Sequence, residues 1–221
     1  MAHRVVQSRI MKLLLTGFEP FGGSTVNPSQ RIVDALDGKS IRGLQIVGMV
    51  LPVDNQQGPA SLLTALVSSS YDGVLSLGEA PRRPVLSIER VGVNLMDYPI
   101  PDNSGKTVVD APIQPGGPAA YFSTLPARAI LKRLLEEGIP AELSLSAGAY
   151  LCNQVLYTLQ HQLARTNSNT PAGFIHLPSL PEQAASSGMI IPSMTFATSL
   201  KGIELSIEVI SQWLKQGMKD R

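Results

Sequence analysis

Cys152 is the only cysteine in this 221-residue chain, and its sequence surroundings are typical of a nucleophilic thiol. An apolar segment at 143–145 and a turn of small residues at 146–148 precede it, and an amphipathic segment follows. This pattern predicts a strand, a sharp turn and a helix, with Cys152 in or near the first helical turn. Free N–H groups and the positive end of the helix dipole favour a thiolate there, and the thiolate is the nucleophilic form of cysteine. A buried structural cysteine is the alternative, because free cysteine is among the most buried residue types.

Two further stretches supply the groups that a nucleophilic thiol requires. Residues 173–178 predict a buried strand with His176 at its C-terminal end, where α/β proteins build their sites. Glu89 lies within the apolar segment 86–94. An imidazole acts as base toward the thiol and acid toward a leaving amine, while a carboxylate holds its tautomer and stabilises its cation. Taken singly, His176 also fits a satisfied core residue, and Glu89 a structural charge network.

The elements that must position these side chains follow from the periodicity of the sequence. Apolar strands alternate with amphipathic helices, which predicts an α/β fold with a mostly parallel twisted sheet and helices on both faces. The predicted strands lie at 12–16, 44–51, 73–77, 85–95 and 172–177, and the predicted helices at 27–36, 58–69, 127–137 and 200–214. A period of two within 85–95 places these residues on one face: Val85, Ser87, Glu89, Val91 and Val93.

The connection at 98–126 is unusually long and is rich in proline, glycine and aspartate, with a weak strand-like piece at 106–109. Connections of that length in a compact domain are usually lids, binding loops or interface arms. No composition shift indicates a linker, so we expect one domain over 1–221, with residues 1–10 as an unpatterned extension.

Composition excludes several classes of function. The formal net charge of +1 gives no electrostatic footprint for nucleic acid or for a membrane surface. A single cysteine cannot form an internal disulfide or a structural zinc site with two cysteine ligands, and it fits a reducing cytoplasm. The apolar run at 11–15 is too short to span a membrane and lacks a following cleavage site. We therefore expect a cytoplasmic protein without metal or cofactor.

Four collinear motifs resemble the pyroglutamyl peptidase I family of cysteine peptidases, also called pyrrolidone-carboxylate peptidases. The first is Thr-Gly-Phe-Glu-Pro-Phe-Gly-Gly at 16–23 with Asn-Pro-Ser at 27–29, and the second is Ile-Glu-Arg-Val at 88–91 with Ile-Pro-Asp-Asn at 100–103. The third is Ser-Ala-Gly at 146–148 with Cys-Asn at 152–153, and the fourth is Phe-Ile-His-Leu-Pro at 174–178 with Leu-Pro-Glu-Gln at 180–183. Four motifs in order are far more specific than any one of them.

The resemblance implies a fold, an activity and an assembly. The fold is a single-domain three-layer α/β/α sandwich, often assembled as a homotetramer. The activity is removal of N-terminal pyroglutamyl residues from peptides through a thioester acyl-enzyme. In that scheme Cys152 is the nucleophile, His176 the acid and base, and Glu89 the orienting carboxylate, with backbone N–H groups near Cys152 as the oxyanion hole.

The resemblance also implies the substrate-binding residues for a small neutral lactam ring, which apolar walls and a few polar groups suit. They are Phe18, Phe21, Asn27, Glu79, Tyr150 and Leu151. Phe18 also fits a core aromatic residue, and Asn27 also fits a plain helix cap before Pro28. The loop at 17–23 has little other reason to be aromatic, which favours Phe21 as a pocket wall.

The chain departs from the family pattern at two places near the expected pocket. Glu79 stands where the family usually has glutamine, in a turn that has also lost glycines, and Pro99 stands where some members have a basic residue. A carboxylate near a Cys–His pair disfavours the thiolate. We expect either that this turn offers only a backbone carbonyl to the ring N–H, or that Arg82 or Arg83 pairs with Glu79.

Two other functions fit parts of the pattern. A glutamine amidotransferase also uses Cys, His and Glu, but in the order Cys, His, Glu with a Gly-x-Cys-x-Gly elbow, whereas this chain has Glu89, Cys152 and His176 and no such elbow. A catalytically weak or repurposed pyroglutamyl-binding homologue on the same scaffold is the second alternative, and the altered turn at Glu79 leaves it open.

Overall fold

A seven-stranded sheet forms the centre of the fold in the computed structural model, which describes residues 9–219. The strands of the chain are β1 (Met11–Phe18), β2 (Ser40–Ile41), β3 (Leu44–Leu51), β4 (Gly73–Glu79), β5 (Leu86–Glu89), β6 (Val91–Val93), β7 (Ala120–Phe122), β8 (Ala141–Ser144) and β9 (Ala172–Leu177). The order across the main sheet is β2-β3-β1-β4-β9-β5-β8, and β6 pairs with β7 in a separate two-stranded sheet.

Most neighbours in the main sheet are parallel, and the two exceptions lie toward its edges. The strands β3, β1, β4 and β9 run parallel to one another, and β5 is parallel to β8. The pair β5–β9 is antiparallel, as is the short edge pair β2–β3. The antiparallel pairing brings the C-terminal end of β5 to the middle of β9, which matters for the candidate site.

Helices cover both faces of the sheet, which confirms the predicted three-layer α/β/α sandwich. They are α1 (Pro28–Leu36), α2 (Gln57–Ser68), α3 (Ala127–Glu136), α4 (Leu151–Arg165), α5 (Pro181–Ser186) and α6 (Phe196–Lys219). Apolar residues of α1, α3 and α6 pack on one face, and those of α2 and α4 pack on the other. Among the described residues, no helix is both long and apolar enough to cross a membrane.

Alternation along the central strands decides which side chains meet α4. On β9, Phe174 packs in the cluster beneath α4, whereas Ile175 and Leu177 pack on the opposite face. The same alternation on β5 sends Ile88 to the opposite face, and so turns Glu89 toward the α4 side. His176, two residues after Phe174, shares its face.

Several predicted boundaries were wrong. The segment 85–95 is not one strand, because the chain leaves the main sheet at Arg90 and continues as β6 in the second sheet. The piece at 106–109 is not a strand, although Tyr98 N donates to Val108 O, and β7 lies later in that connection. Helix α6 begins before the predicted start, and the sequence pattern missed the short strand β2 and the short helix α5. Most of the predicted extension at 1–10 lies outside the described residues.

Candidate active site

Glu89 and His176 form a buried hydrogen-bonded pair between two neighbouring strands. Glu89 is the last residue of β5, and its register partner on β9 is Phe174. The His176 Nδ1 atom lies 2.8 Å from Glu89 Oε1, and the two residues are 4% and 0% exposed. A carboxylate can only accept, so Nδ1 carries the proton that it donates to Glu89. Nε2 is then the basic nitrogen of the neutral ring.

Cys152 is the second residue of α4, and its thiol lies on the same face of the sheet. A Cβ atom built on Gly78 would approach Cys152 Sγ to 2.7 Å and the Phe174 ring to 2.8 Å. Gly78 is the register partner of His176 in the parallel pair β4–β9. The thiol therefore sits above Gly78, beside the strand that carries His176. Glycine is required at 78 because any side chain would displace the thiol or the ring.

The electrostatic surroundings contradict the expectation of a thiolate at Cys152. The pKa of the Cys152 thiol is raised to about 12, mainly by burial, with smaller contributions from the Glu89 carboxylate and then from Glu79. The Arg83 guanidinium and the backbone N–H of Cys152 itself lower this pKa. Cys152 lies at the helix N-terminus as predicted, but the loss of hydration on burial raises the thiol pKa by more than the helix N-terminus lowers it. The thiol is therefore protonated at neutral pH in the free protein.

Arg83 pairs with Glu89, so the expectation that Arg82 or Arg83 would pair with Glu79 was wrong. Arg83 Nη1 lies 2.5 Å from Glu89 Oε1, the same oxygen that meets His176. Its Nη2 donates to the carbonyl of Ser146 at 2.6 Å. The turn at 80–83 directs this side chain toward β5 and β8, which places it away from Glu79.

Glu79 is buried at the end of β4 and has neutral partners. The Ser179 hydroxyl donates to Glu79 Oε1 at 2.6 Å, and the Gln183 amide contacts both carboxylate oxygens at 3.1 Å. Burial raises the pKa of Glu79, and these two hydrogen bonds oppose the shift without cancelling it. A carboxyl group in such surroundings takes up a proton at a higher pH than an exposed glutamate does.

An open cleft of about 740 Å³ adjoins Glu79. The turn at 21–26, the end of β4, helix α5 and residues 187–191 form its walls, and Phe21, Ile100 and Met189 are among its apolar lining residues. The Phe21 ring packs 6.2 Å from the ring of Tyr150, the residue before α4. This ring contact connects one wall of the cleft to the residue that precedes α4, the helix that carries Cys152.

The structure places the remaining predicted binding residues in the interior. Phe18 and Leu151 are buried in the cluster between the sheet and α4. Asn27 is buried as the cap of α1, where its Oδ1 accepts from Ser29 N at 2.9 Å and its Nδ2 donates to Glu19 O at 3.0 Å. The cap role of Asn27 is therefore shown, and a role in binding the ring stays a prediction.

Sequence reasoning missed three contributors to this site and gave a fourth, Arg83, the wrong partner. Gly78 forms its floor, Arg83 bonds Glu89 rather than Glu79, and Ser179 and Gln183 hold the Glu79 carboxyl group. Gln183 lies within one of the four motifs, so a signal for it was present. Nothing in the sequence pattern indicates that the Cys152 thiol rests on Gly78. Among residues 9–219, no group of three or more His, Cys, Asp or Glu side chains is arranged to hold a metal ion.

A cysteine, a histidine and a glutamate lie on one face of this α/β/α sandwich, an arrangement that fits a thiol-dependent hydrolase. The family model for pyroglutamyl peptidase matches residues 11–213, nearly the whole described chain. The chain therefore belongs to the pyroglutamyl peptidase family, a family of cysteine peptidases, as the sequence motifs predict.

Individual relatives agree with this assignment. A pyrrolidone-carboxylate peptidase of Pyrococcus furiosus is 46% identical over 202 residues, covering 90% of this chain and 97% of that one. One from Gloeobacter violaceus is 48% identical over 203 residues, with 90% and 97% covered. The structure of a mutant pyrrolidone carboxyl peptidase from the hyperthermophile Pyrococcus furiosus superposes with a TM-score of 0.89 at 45% identity, covering 92% of this chain and 100% of that one.

Proposed function

We propose that this protein hydrolyses the bond after an N-terminal pyroglutamyl residue and releases free pyroglutamate from peptides. Cys152 is the nucleophile, His176 the acid and base, and Glu89 the carboxylate that orients the imidazole. The observation that carries this proposal is the 2.8 Å hydrogen bond between His176 Nδ1 and Glu89 Oε1, on the face of the sheet that holds the Cys152 thiol.

The reaction begins from a neutral thiol. Because burial raises the pKa of Cys152 to about 12, the thiolate forms when His176 Nε2 accepts the thiol proton in the presence of substrate. The sulfur then attacks the carbonyl carbon of the pyroglutamyl residue. Glu89 stabilises the imidazolium that results, because its carboxylate accepts a hydrogen bond from the Nδ1–H group.

The tetrahedral intermediate carries its negative charge on the former carbonyl oxygen. The N-cap residue of α4 is Tyr150, whose side chain makes no capping hydrogen bond, so the N–H groups of the first turn are not occupied by it. These groups support an oxyanion hole at the helix N-terminus. The imidazolium then protonates the leaving amine, a thioester remains on Cys152, and water activated by His176 hydrolyses it.

The cleft suits the small, uncharged pyroglutamyl ring at one end and a longer peptide beyond it. Phe21 and Tyr150 supply apolar ring faces near the start of α4. Glu79 supplies a polar group at the end of β4, and its raised pKa favours the neutral carboxyl form, which can donate as well as accept. The cleft volume of about 740 Å³ exceeds the size of a lactam ring, which leaves room for the following residues.

The family resemblance also supports an assembly and a compartment. We infer a homotetramer in the cytoplasm. Sedimentation of the purified protein tests the tetrameric assembly. A sedimentation coefficient of a 23.6 kDa monomer at micromolar concentration would contradict it.

Hydrolysis of a chromogenic pyroglutamyl amide tests the proposed function. The matched control substrate is the corresponding prolyl amide, which has the same ring size but a charged amine in place of the lactam. We expect turnover of the first only, inactivation by iodoacetamide, and a loss of at least about 1,000-fold in kcat for Cys152→Ala, since the nucleophile is removed. Activity retained in Cys152→Ala would exclude the cysteine mechanism. Tight binding of pyroglutamate without any turnover by the wild type would favour the repurposed homologue instead.

A further inference from the structure

Arg83 is the one cation in direct contact with the Glu89–His176 pair among the described residues, and it also bonds the turn that leads to Cys152. Its side chain is 26% exposed, and its Nη1 lies 2.5 Å from Glu89 Oε1 and 3.2 Å from Ser144 Oγ. Its Nη2 donates to Ser146 O at 2.6 Å. One planar guanidinium thus joins the carboxylate at the end of β5 to the end of β8 and to the turn after it.

The Glu89 carboxylate depends on this contact for its charge balance. Both Arg83 and His176 meet Oε1, and within residues 9–219 the buried Oε2 has no hydrogen-bond partner. A fully buried carboxylate is costly unless a cation or several donors compensate it. The imidazole offers this carboxylate a single hydrogen bond, whereas the Arg83 guanidinium brings a permanent positive charge to it.

The turn that Arg83 holds determines where α4 begins. Ser144 ends β8 and is the register partner of Glu89, while Gly148 turns the chain at a φ of +79°. A donor on the Ser146 carbonyl restrains this turn between those two points. Cys152 follows only six positions after Ser146 in the sequence, so a shift of the turn moves the thiol relative to His176.

The charge of Arg83 also favours a reactive Cys152, in addition to the contacts that hold the turn in place. The charged groups that change the pKa of Cys152 are Glu89 and Glu79, which raise it, and Arg83, which lowers it. Loss of Arg83 would leave two carboxylates facing the thiol together with His176. The thiolate would then form at a higher pH.

We propose that Arg83 is a positioning residue of the catalytic centre, whose guanidinium couples the Glu89–His176 pair to the turn that places Cys152. Only the expected effect of Arg83 on turnover rests on the proposed function. The reaction of Cys152 with iodoacetamide requires no substrate, so it tests Arg83 independently.

The adjacent residue Arg82 provides a matched control, because it is exposed and belongs to the same turn. We expect Arg83→Met to lower kcat for a pyroglutamyl amide by about 30-fold or more with KM within about threefold, since Arg83 does not line the substrate cleft. We expect Arg82→Met to keep both constants within about twofold. Equal kinetics for the two variants would overturn the proposal.

The pH dependence of alkylation separates positioning from a general loss of structure. In Arg83→Met, the rate of Cys152 alkylation by iodoacetamide should rise at a higher pH than in the wild type. In Arg83→Lys, the charge is retained but the planar fork is not, so the alkylation profile should stay near that of the wild type while kcat falls about 3- to 30-fold.

The lysine variant keeps the test decisive even if Arg83→Met does not fold. Wild-type kcat in Arg83→Lys would overturn the proposal, because one ammonium group cannot replace both contacts. An unshifted alkylation profile in a folded Arg83→Met would overturn it as well. If the wild type hydrolyses no pyroglutamyl amide, the proposed function fails, and the alkylation profiles still decide the role of Arg83.

Discussion

The proposed catalytic centre and the proposed substrate cleft of this protein are built in different ways. The centre rests on regular elements: Gly78 on β4, Glu89 on β5, His176 on β9 and Cys152 on α4. The cleft is walled largely by loops, from the turn at 21–26 to residues 187–191, and it includes Met189, which is 70% exposed. Proton transfer requires fixed distances, which strands and helices supply, whereas apolar walls around an uncharged ring tolerate adjustment.

The first turn of α4 shows how strongly the centre is fixed. Asn153 Oδ1 accepts from Val93 N at 2.8 Å, and its Nδ2 donates to Val93 O and Leu95 O at 2.9 Å. Gln154, the next residue, accepts from the Tyr98 hydroxyl at 2.6 Å. These bonds attach the helix to β6 and to the long connection after it. The departure from the family pattern at Glu79 lies instead in the cleft, where change is tolerated better.

Changes to the buried pair should break the centre most severely. We expect His176→Ala to lower kcat by about 1,000-fold or more, because it removes the acid and base. Glu89→Gln should lower kcat by about 10- to 100-fold, since it keeps the side-chain shape but removes the charge that stabilises the imidazolium. Steady-state kinetics with a pyroglutamyl amide measure both.

The control for this pair is Glu142→Gln, which alters a carboxylate on β8 that accepts from Ser87 Oγ at 2.8 Å on the same sheet. It should leave kcat within about threefold. Near-wild-type kcat in both His176→Ala and Glu89→Gln would mean that the triad is misassigned.

Change to the cleft wall should act on binding rather than on chemistry. We expect Phe21→Ala to raise KM by about tenfold while kcat falls by less than about threefold, because an apolar wall binds the ground and transition states alike. Phe122→Ala is the matched control, since this exposed phenylalanine lies on β7 outside the cleft, and it should change neither constant. A loss confined to kcat would indicate that Phe21 helps to position the catalytic residues and does not bind the ring.

The same division explains which features the sequence could predict. Helix α1 with its Asn27 cap, strand β3 and strand β9 were predicted at their observed bounds, because periodicity and capping are local signals. Cys152 was correctly placed in the first turn of α4 from the small residues before it. The protonated state of its thiol was not predictable, because it depends on burial by elements distant in the chain.

Contacts between distant segments account for the other errors. Arg83 is close to both Glu79 and Glu89 in sequence, and only the positions of β5 and β8 determine that it pairs with Glu89. The period of two over 85–95 was real, but it spans two different sheets that meet at Arg90. Periodicity records which face a residue occupies and carries no information on which strand it pairs with.

Glu79 should show the smallest effect, and its effect should depend on pH. We expect Glu79→Gln to change kcat/KM for a neutral pyroglutamyl substrate by less than about tenfold near neutral pH, equivalent to about 1.4 kcal/mol. Because burial raises the pKa of Glu79, its carboxyl group is neutral at low pH and becomes charged as the pH rises. The charged form raises the pKa of Cys152, so the ratio of variant to wild-type kcat/KM should increase with pH.

Stability should follow the same titration. The folded pKa of Glu79 lies above its unfolded value, so the native state binds this proton more tightly than the unfolded state does. That contribution is complete below the unfolded pKa of about 4.3 and is lost as the pH rises through the folded pKa. The free energy of unfolding of Glu79→Gln should therefore increase relative to the wild type over this range, measured by urea denaturation at several pH values.

Glu182→Gln is the control for Glu79, because Glu182 lines the same cleft but is exposed and paired with Arg31 at 2.7 Å. Its kcat/KM ratio to the wild type should not vary with pH, since an exposed pair contributes little. A ratio for Glu79→Gln that is equally flat would show that Glu79 does not titrate in the working range. A gain of several hundredfold in kcat/KM for Glu79→Gln would instead show that Glu79 impairs the site, and it would favour a weak or repurposed member of the family. The hydrogen bonds from Ser179 and Gln183 argue against such a harmful role, because they give the buried carboxyl group partners and hold it in a fixed position.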